Sequence, residues 1–230
     1  MDRLAMSGVL ATLGPLLLAQ GKAVRRQTPI LPVCGDAQGL EPGPGRPLRL
    51  GLLGDSIIAG VGVGSQAEGL SGRLAWHLAR ATSRPVEWRC VGLNGARARE
   101  LLELELPSDF QPDLVVVSAG VNDVLRLTSK NAFRRHLETL GERWGRQPKV
   151  LAGIPDFTCF PSLPRPLKDV MAWRSRTLVN EARRLGSGWT VHGLLRPLRA
   201  EEFSPDLFHP GPRGCDAWAR ELAEVVSARL

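Results

Sequence analysis

The sequence predicts a three-layer α/β/α domain built on about five parallel strands. Short apolar segments alternate with longer segments of helical periodicity from residue 48 onward. The segment 114–117 is continuously apolar, as expected for a strand that is buried on both faces of a sheet. Because strands separated by helices are joined by right-handed crossovers, this alternation favours a parallel sheet. A chain of 230 residues is most simply one such domain.

The predicted strands and helices follow one another in regular order, and no internal repeat is visible. Helix 69–82 places Leu74, Leu78 and Ala81 on one face, which is typical of a helix that packs on a sheet. Strands are expected at residues 48–53, 86–91, 114–119, 150–154 and 189–192, and helices at 69–82, 98–105, 130–144, 167–185 and 212–229.

The chain begins with a hydrophobic segment, residues 1–27, whose stretch 4–20 is almost uncharged. This stretch is short for a membrane span, which needs about 20 apolar residues. Two interpretations stay open: a retained segment that associates with a membrane surface, or a signal peptide that is cleaved on export to the periplasm or medium. The basic residues Lys22, Arg25 and Arg26 follow the apolar stretch, which favours retention with the downstream domain in the cytoplasm.

Residues 28–46 are rich in Pro and Gly and are predicted to form a linker without its own core. The main domain is therefore expected at residues 47–230. A linker at this position also disfavours a third interpretation of the N-terminal segment, in which it packs as a buried helix of the fold.

Composition argues against a nucleic-acid partner and against a metal site. The net charge is +7, but the basic residues are scattered beside acidic ones and Tyr is absent, whereas nucleic-acid binding needs charge on one face with aromatic partners. The four cysteines are far apart in sequence and show no zinc-type spacing. No cofactor or metal is expected.

Polar residues follow four of the predicted strands. Ser56 comes after the first strand, Gly95 after the second, Asn122 after the third, and Asp206 and His209 after the last. Since the carboxyl ends of parallel strands open on one edge of the sheet, these residues are expected to converge there.

The residue types that converge are those that acyl transfer requires. Ser56 would be the nucleophile, His209 would take and return its proton, and Asp206 would fix the tautomer of His209. The tetrahedral intermediate carries an oxyanion, which the backbone N–H groups of Ser56 and Gly95 and the Asn122 amide would stabilise.

Other polar groups near these positions have simpler interpretations. Asp55 is expected to hydrogen-bond within its own turn, and Asp123 is expected to cap and hold its loop. His192, after the last strand, is the rival base, but it lacks an acid nearby in sequence. The apolar loop 156–164 could line an acyl-binding site or cover the core.

Four sequence blocks together resemble the SGNH superfamily, also called GDSL-type esterases and lipases. They are Gly54-Asp55-Ser56-Ile57, Gly95, Gly120-Val121-Asn122-Asp123 and Asp206-Leu207-Phe208-His209. The resemblance implies a flavodoxin-like sheet, Ser56 and His209 as the catalytic pair, and Ser56, Gly95 and Asn122 as oxyanion donors. The whole chain looks most like bacterial lysophospholipase-like members with hydrophobic N-termini.

Three functions follow from these observations as hypotheses. The first is a serine hydrolase that cleaves a small-molecule or lipid ester through an acyl-serine intermediate. The second is an acyltransferase with the same catalytic groups. The third is a non-catalytic binding module, which is disfavoured because no catalytic position is lost.

Overall fold

The computed structural model describes residues 3–35, 37–186 and 188–230, with side chains from residue 12 onward. The helices are α1 (Arg3–Gln27), α2 (Leu70–Thr82), α3 (Val121–Leu125), α4 (Lys130–Glu142), α5 (Leu167–Ala182) and α6 (Pro212–Ser227). The strands are β1 (Ala37–Glu41), β2 (Leu48–Gly54), β3 (Val86–Gly92), β4 (Leu114–Ser118), β5 (Lys149–Ala152), β6 (Ile154–Pro155), β7 (Trp189–Val191) and β8 (Leu194–Leu195).

Six of the strands form one twisted sheet in the order β1-β3-β2-β4-β5-β7. Strands β3, β2, β4, β5 and β7 are parallel to one another, and β1 joins the edge of β3 in the antiparallel direction. Helix α2 packs against α6, and α4 packs against α5. Every residue of β4 is buried, because helices cover both faces of the sheet. The predicted α/β/α fold with five parallel strands is confirmed.

Strand β1 lies inside the segment 28–46 that the sequence predicts as a linker. Gly39 of β1 faces the indole of Trp88 on β3, and a Cβ at Gly39 would lie 2.6 Å from the ring. The close approach explains why a glycine occupies this strand. The sheet therefore begins at Ala37, ten residues before the predicted boundary at residue 47.

Other elements also differ from the prediction. The helix predicted at 98–105 is a short 3-10 turn at Glu100–Glu103, and the short helix α3 was not predicted. The strand predicted at 150–154 divides at Gly153 into β5 and β6, and β6 pairs with β8 in a small second sheet. A Cβ at Gly153 would lie 2.7 Å from the carbonyl oxygen of Gly193, so the division brings two backbones together.

Helix α1 packs against the domain over the part whose side chains are described. Leu17 is buried, and Leu13 and Val24 pack against the core. The Gln20 amide donates to the Arg165 carbonyl (2.8 Å) and accepts from the N–H of Leu167 (3.2 Å). The structure thus favours the interpretation that the sequence had disfavoured, a helix of the fold. Residues 1 and 2 and the side chains of 3–11 of the predicted segment 1–27 lie outside the described residues.

Among the described residues, no helix combines the length and the apolar character needed to cross a membrane.

Candidate active site

Ser56 lies on a tight turn directly after β2. The backbone N–H of Val61 donates to the Ser56 carbonyl (3.0 Å), so the chain forms hydrogen-bonded turns immediately after the serine. A Cβ at Gly54 would lie 2.6 Å from Ile58 and 2.8 Å from Ser118 of the neighbouring strand. Glycine at position 54 therefore allows the turn that carries the serine to approach β4.

The hydroxyl of Ser56 lies within hydrogen-bond distance of the His209 ring. Ser56 Oγ is 3.0 Å from His209 Nε2, although the two residues are 153 positions apart. On the other side of the ring, Nδ1 lies 2.6 Å from Oδ2 of Asp206. An ionised carboxylate only accepts, so Nδ1 carries the proton and Nε2 is left to accept from the serine. The structure thus brings together the three residues that the sequence predicts to form the catalytic set.

Asp206 is held by its own turn as well as by the histidine. Its second oxygen, Oδ1, accepts from the backbone N–H groups of Phe208 and His209 (both 2.9 Å) and from the hydroxyl of Ser204 (2.9 Å). Burial raises the pKa of this carboxyl, but the hydrogen bonds from the His209 ring and from the two N–H groups outweigh burial and lower the pKa to about 2. Asp206 is therefore ionised at neutral pH.

The turn between Asp206 and His209 contains a strained residue. Leu207 has a φ of 56°, a left-handed conformation that is unfavourable for a branched side chain. The three hydrogen bonds to Asp206 Oδ1 fix this turn, so they oppose the strain. Sequence analysis missed Ser204, although a hydroxyl two residues before an aspartate is a local hydrogen-bonding pattern.

The strand order places the predicted oxyanion donors on the two sides of Ser56. Strand β2 lies between β3 and β4, so Ser56 lies between the Gly95 loop and the start of α3, where Asn122 is found. Crevices form at such reversals of strand order. Gly95 has a φ of 80°, which only glycine adopts readily. Within the described chain, the N–H groups of Ser56 and Gly95 have no acceptor.

The Asn122 amide is oriented by one of its two hydrogens. Nδ2 donates to the carbonyl of Ala96 at 3.0 Å. Because an amide has two N–H hydrogens, the second is available to an oxyanion. The same contact connects α3 with the loop that carries Gly95, so the two donors are positioned together.

Two further side chains hold α3 and the Gly95 loop in place. Asp123 is fully buried and its Oδ2 accepts from the N–H of Ala98 at 2.9 Å, in agreement with its predicted structural role. Arg174 of α5 donates to the carbonyls of Val124 (3.2 Å) and Thr128 (2.9 Å). Sequence analysis missed Arg174, because the contact depends on how α5 packs and leaves no local signal.

Asp55 hydrogen-bonds within its turn, as predicted, and also across to β4. Its Oδ1 accepts from the Ser118 hydroxyl (3.1 Å) and from the N–H of Ile57 (3.4 Å). Burial raises the pKa of Asp55 to about 6, and the hydrogen bonds from Ser118 and Ile57 oppose burial only in part.

A small cavity of about 40 Å³ opens beside Ser56 and His209. Its apolar walls include Val121, Phe160 and Trp218. Phe160 comes from the apolar loop 156–164 and stacks on Phe157, with ring centroids 4.8 Å apart. The loop therefore lines the cavity and also packs on the core, so its two predicted roles are compatible.

Among the described residues, the rival base His192 forms no hydrogen bond with Ser56. Its Nε2 lies 3.2 Å from Oε1 of Glu221. The two residues are far apart in sequence, so the sequence did not indicate this contact. Burial lowers the pKa of His192, and the charge of Glu221 opposes this effect. His192 thus belongs to a contact between the residues that follow β7 and helix α6.

A family model described as the GDSL-like lipase/acylhydrolase family matches residues 52–217. The chain belongs to this family of GDSL-like lipases and acylhydrolases. The match spans the loops that carry Ser56, Gly95, Asn122, Asp206 and His209. The SGNH resemblance of the sequence is confirmed, and the chain is a member of a family of acyl-ester hydrolases.

Solved structures share the fold of this GDSL-like hydrolase. A lipase/acylhydrolase from Enterococcus faecalis is 21% identical with a TM-score of 0.57, and the match covers 80% of this chain and 97% of that one. An SGNH hydrolase from Slackia heliotrinireducens is 22% identical with a TM-score of 0.57, covering 79% and 100%. The acetylxylan esterase Axe2 from Geobacillus stearothermophilus is 18% identical with a TM-score of 0.54, covering 77% and 93%. No curated protein sequence matches the GDSL-like hydrolase significantly.

Proposed function

We propose that this protein is a serine esterase that hydrolyses carboxylic esters through an acyl intermediate on Ser56. The observation that supports the proposal is the hydrogen-bonded series from Ser56 Oγ through the His209 ring to Asp206, at 3.0 and 2.6 Å. The distances are those expected of a nucleophile, its base and the acid that orients the base.

In the proposed acylation step, Ser56 Oγ attacks the ester carbonyl carbon while its proton passes to His209 Nε2. The carbonyl oxygen becomes an oxyanion that accepts from the N–H groups of Ser56 and Gly95 and from the Asn122 amide. The intermediate then collapses, the bond to the alcohol oxygen breaks, and the proton on Nε2 passes to the departing alcohol.

In the proposed deacylation step, water takes the place of the alcohol. His209 Nε2 accepts a proton from the water, whose oxygen attacks the acyl carbon, and the same donors bind the second oxyanion. Collapse releases the carboxylic acid and returns the proton to Ser56. Throughout, Asp206 stays ionised and accepts from Nδ1–H, which stabilises the charged ring.

The test is covalent labelling of Ser56 by a fluorophosphonate, combined with ester hydrolysis. Ser56→Ala should lose the label and the esterase activity while retaining the folded circular dichroism spectrum and melting temperature. Ser108→Ala is a matched control, because Ser108 is an exposed serine that precedes β4, at the end of the sheet away from Ser56. If Ser56→Ala kept its full activity, the proposal would be wrong. A protein that no fluorophosphonate labels would favour a binding module instead.

The acyl group is proposed to be short, because the cavity beside Ser56 is small. A long chain, as in a lysophospholipase, would have to lie outside this cavity. A series of 4-nitrophenyl esters separates the two: the short-acyl proposal expects kcat/KM to be greatest for acetate to butyrate, whereas a maximum at decanoate or longer would favour a lipid ester.

Acyl transfer to a sugar or another alcohol is the second candidate, since the acyl-Ser56 intermediate is the same. Hydrolysis at an unchanged total rate with added alcohols supports the esterase. Formation of the new ester at low alcohol concentration, with less free acid, would favour the transferase.

We propose in addition that α1 binds a membrane surface with the side turned away from the domain. Leu18 is exposed, and Lys22, Arg25 and Arg26 are exposed near it. An exposed leucine close to exposed basic side chains on a helix favours the interface of anionic lipids. Co-sedimentation with vesicles containing phosphatidylglycerol, but not with phosphatidylcholine vesicles, is the expected result. Equal recovery from the supernatant in both cases would refute membrane binding.

A further inference from the structure

Arg126 lies at the end of α3, beside the loop that carries an oxyanion donor. Its Nη2 is 3.8 Å from the position of a Cβ at Gly95, the nearest heavy atom to that position. Arg126 is exposed, and no acidic side chain among the described residues forms an ion pair with it. An arginine without an ion-pair partner among the described residues thus lies beside the loop that carries Gly95.

Neighbouring arginines on this edge are engaged in other contacts. Arg97 pairs with Glu100, and Arg174 donates to two backbone carbonyls. Arg176 pairs with Asp156 at 3.2 Å. Arg126 therefore differs from these three arginines, because none of its five N–H donors has a partner among the described residues.

The acidic side chains closest to Arg126 in sequence, or present in the candidate site, already have hydrogen-bond partners. Asp123 is fully buried and accepts from Ala98 N–H, and Asp206 accepts from His209. Neither of these carboxylates therefore pairs with the positive charge of Arg126. The chain as a whole also carries a net charge of +7. These charges favour the approach of an anionic ligand.

Exposed leucines flank the arginine. Leu125 and Leu127 stand on either side of Arg126 and are 38% and 56% exposed, and Leu93, two residues before Gly95, is 44% exposed. Leu127 has a φ of 57°, a costly conformation for leucine. Strained residues cluster at ligand-binding positions, and exposed apolar side chains next to a cation in sequence suit an amphiphilic ligand.

We infer that Arg126 binds an anionic group, a carboxylate or a phosphate, of the ester substrate and so determines specificity for anionic esters. The inference rests on the proposed esterase function. Arg126 contacts the part of the substrate that projects past Gly95, and its guanidinium donates to the anion while the leucines contact the adjacent carbon chain.

The experiment compares matched anionic and neutral esters. In the first arm of the experiment, the anionic group is on the alcohol part of the ester, and 4-acetoxybenzoate is compared with its methyl ester. The other carries it on the acyl chain: mono-4-nitrophenyl adipate against 4-nitrophenyl hexanoate. The measured quantity is the ratio of kcat/KM for the anionic ester to that for the neutral one, in wild type, Arg126→Gln, Arg126→Lys and Arg146→Gln. Arg146 is the charge control, because it is exposed and precedes β5, at the amino-terminal end of the parallel strands.

In one of the two arms, Arg126→Gln should lower the ratio about tenfold, mostly through KM, since a charged hydrogen bond to a ligand contributes on that order. Arg126→Lys should retain part of the preference, and Arg146→Gln should match wild type. The arm that responds identifies whether the anion lies on the acyl or the alcohol side. Added salt should also reduce the wild-type ratio.

Two results would overturn the inference. In the first, Arg126→Gln leaves both ratios unchanged. In the second, it lowers kcat/KM equally for anionic and neutral esters, which would show that the arginine acts on the oxyanion or on the loop. Both results require a wild type that hydrolyses the neutral esters and is labelled at Ser56. A wild type that does neither refutes the esterase proposal itself, so the two failures are distinguishable.

Discussion

Replacing Asp55 by Asn should make the protein more stable near neutral pH and leave it almost unchanged in acid. Asp55 is buried directly before the proposed nucleophile, and burial raises its pKa to about 6 from an ordinary value of 3.8. The folded protein therefore favours the protonated carboxyl, whereas the unfolded chain ionises at lower pH. Asn is neutral at every pH and can still accept from the Ser118 hydroxyl through Oδ1.

The size of the effect follows from the difference between the two pKa values. A raised pKa contributes stability that is fully present below pH 3.8 and is lost as the pH rises through about 6. The difference of about 2 pKa units corresponds to about 3 kcal/mol, because one unit is about 1.4 kcal/mol. Above pH 6, wild type carries the full cost of the buried carboxylate, and Asp55→Asn does not.

The assay is urea unfolding of both proteins at several pH values between about 4 and 8. The free energy of unfolding of Asp55→Asn relative to wild type should rise by about 3 kcal/mol across this range, with most of the rise between about pH 4 and 6. Asp169→Asn removes the same charge from an exposed position on α5, and its difference from wild type should change by less than about 1 kcal/mol. A constant difference for Asp55→Asn would refute the reasoning that burial of the carboxyl is costly.

Two other substitutions test the roles assigned to the site. Asp206→Asn should lower kcat by about 10³- to 10⁴-fold, because the ring of His209 loses the acceptor that fixes its tautomer. Steady-state kinetics checks this result, and a loss of less than tenfold would contradict it. Asn122→Ala should lower kcat about 10²-fold or more with little change in KM, since the amide acts on the oxyanion. Asn94→Ala removes an exposed amide from the neighbouring loop, and equal losses in both variants would argue against a specific role for Asn122.

The central strands could be predicted closely from the sequence, and the edges of the sheet could not. Strands β2, β3 and β4 begin at the predicted residues, because β2 and β4 are mostly apolar and buried and β3 alternates buried with half-buried residues. Strand β1 has a single large apolar residue, Leu40, and lies among glycines and prolines. Its formation depends on pairing with β3, which no local pattern records. Helix α3 has five residues, too few for a helical period to be recognised.

The reacting groups of the site could be predicted for a different reason. Ser56, Asn122 and His209 each follow a predicted strand, and a parallel sheet brings such residues to one edge whatever their separation in sequence. The groups that hold them depend on tertiary contacts. Arg174 reaches α3 from α5, and Ser204 reaches Asp206 only after the turn has formed. Sequence reasoning therefore locates the candidate residues at this edge and misses the side chains that hold them in place.

The antiparallel strand at the edge of the sheet also bears on solubility. Exposed strand edges recruit other strands and lead to aggregation. Here β1 covers the edge of β3, and the opposite edge is the three-residue strand β7. A shortened protein that began at residue 47, the boundary suggested by composition, would lose β1 and expose the seven-residue edge of β3. The Pro- and Gly-rich segment 28–46 thus contributes the strand that covers β3, and recombinant versions of the protein should retain it.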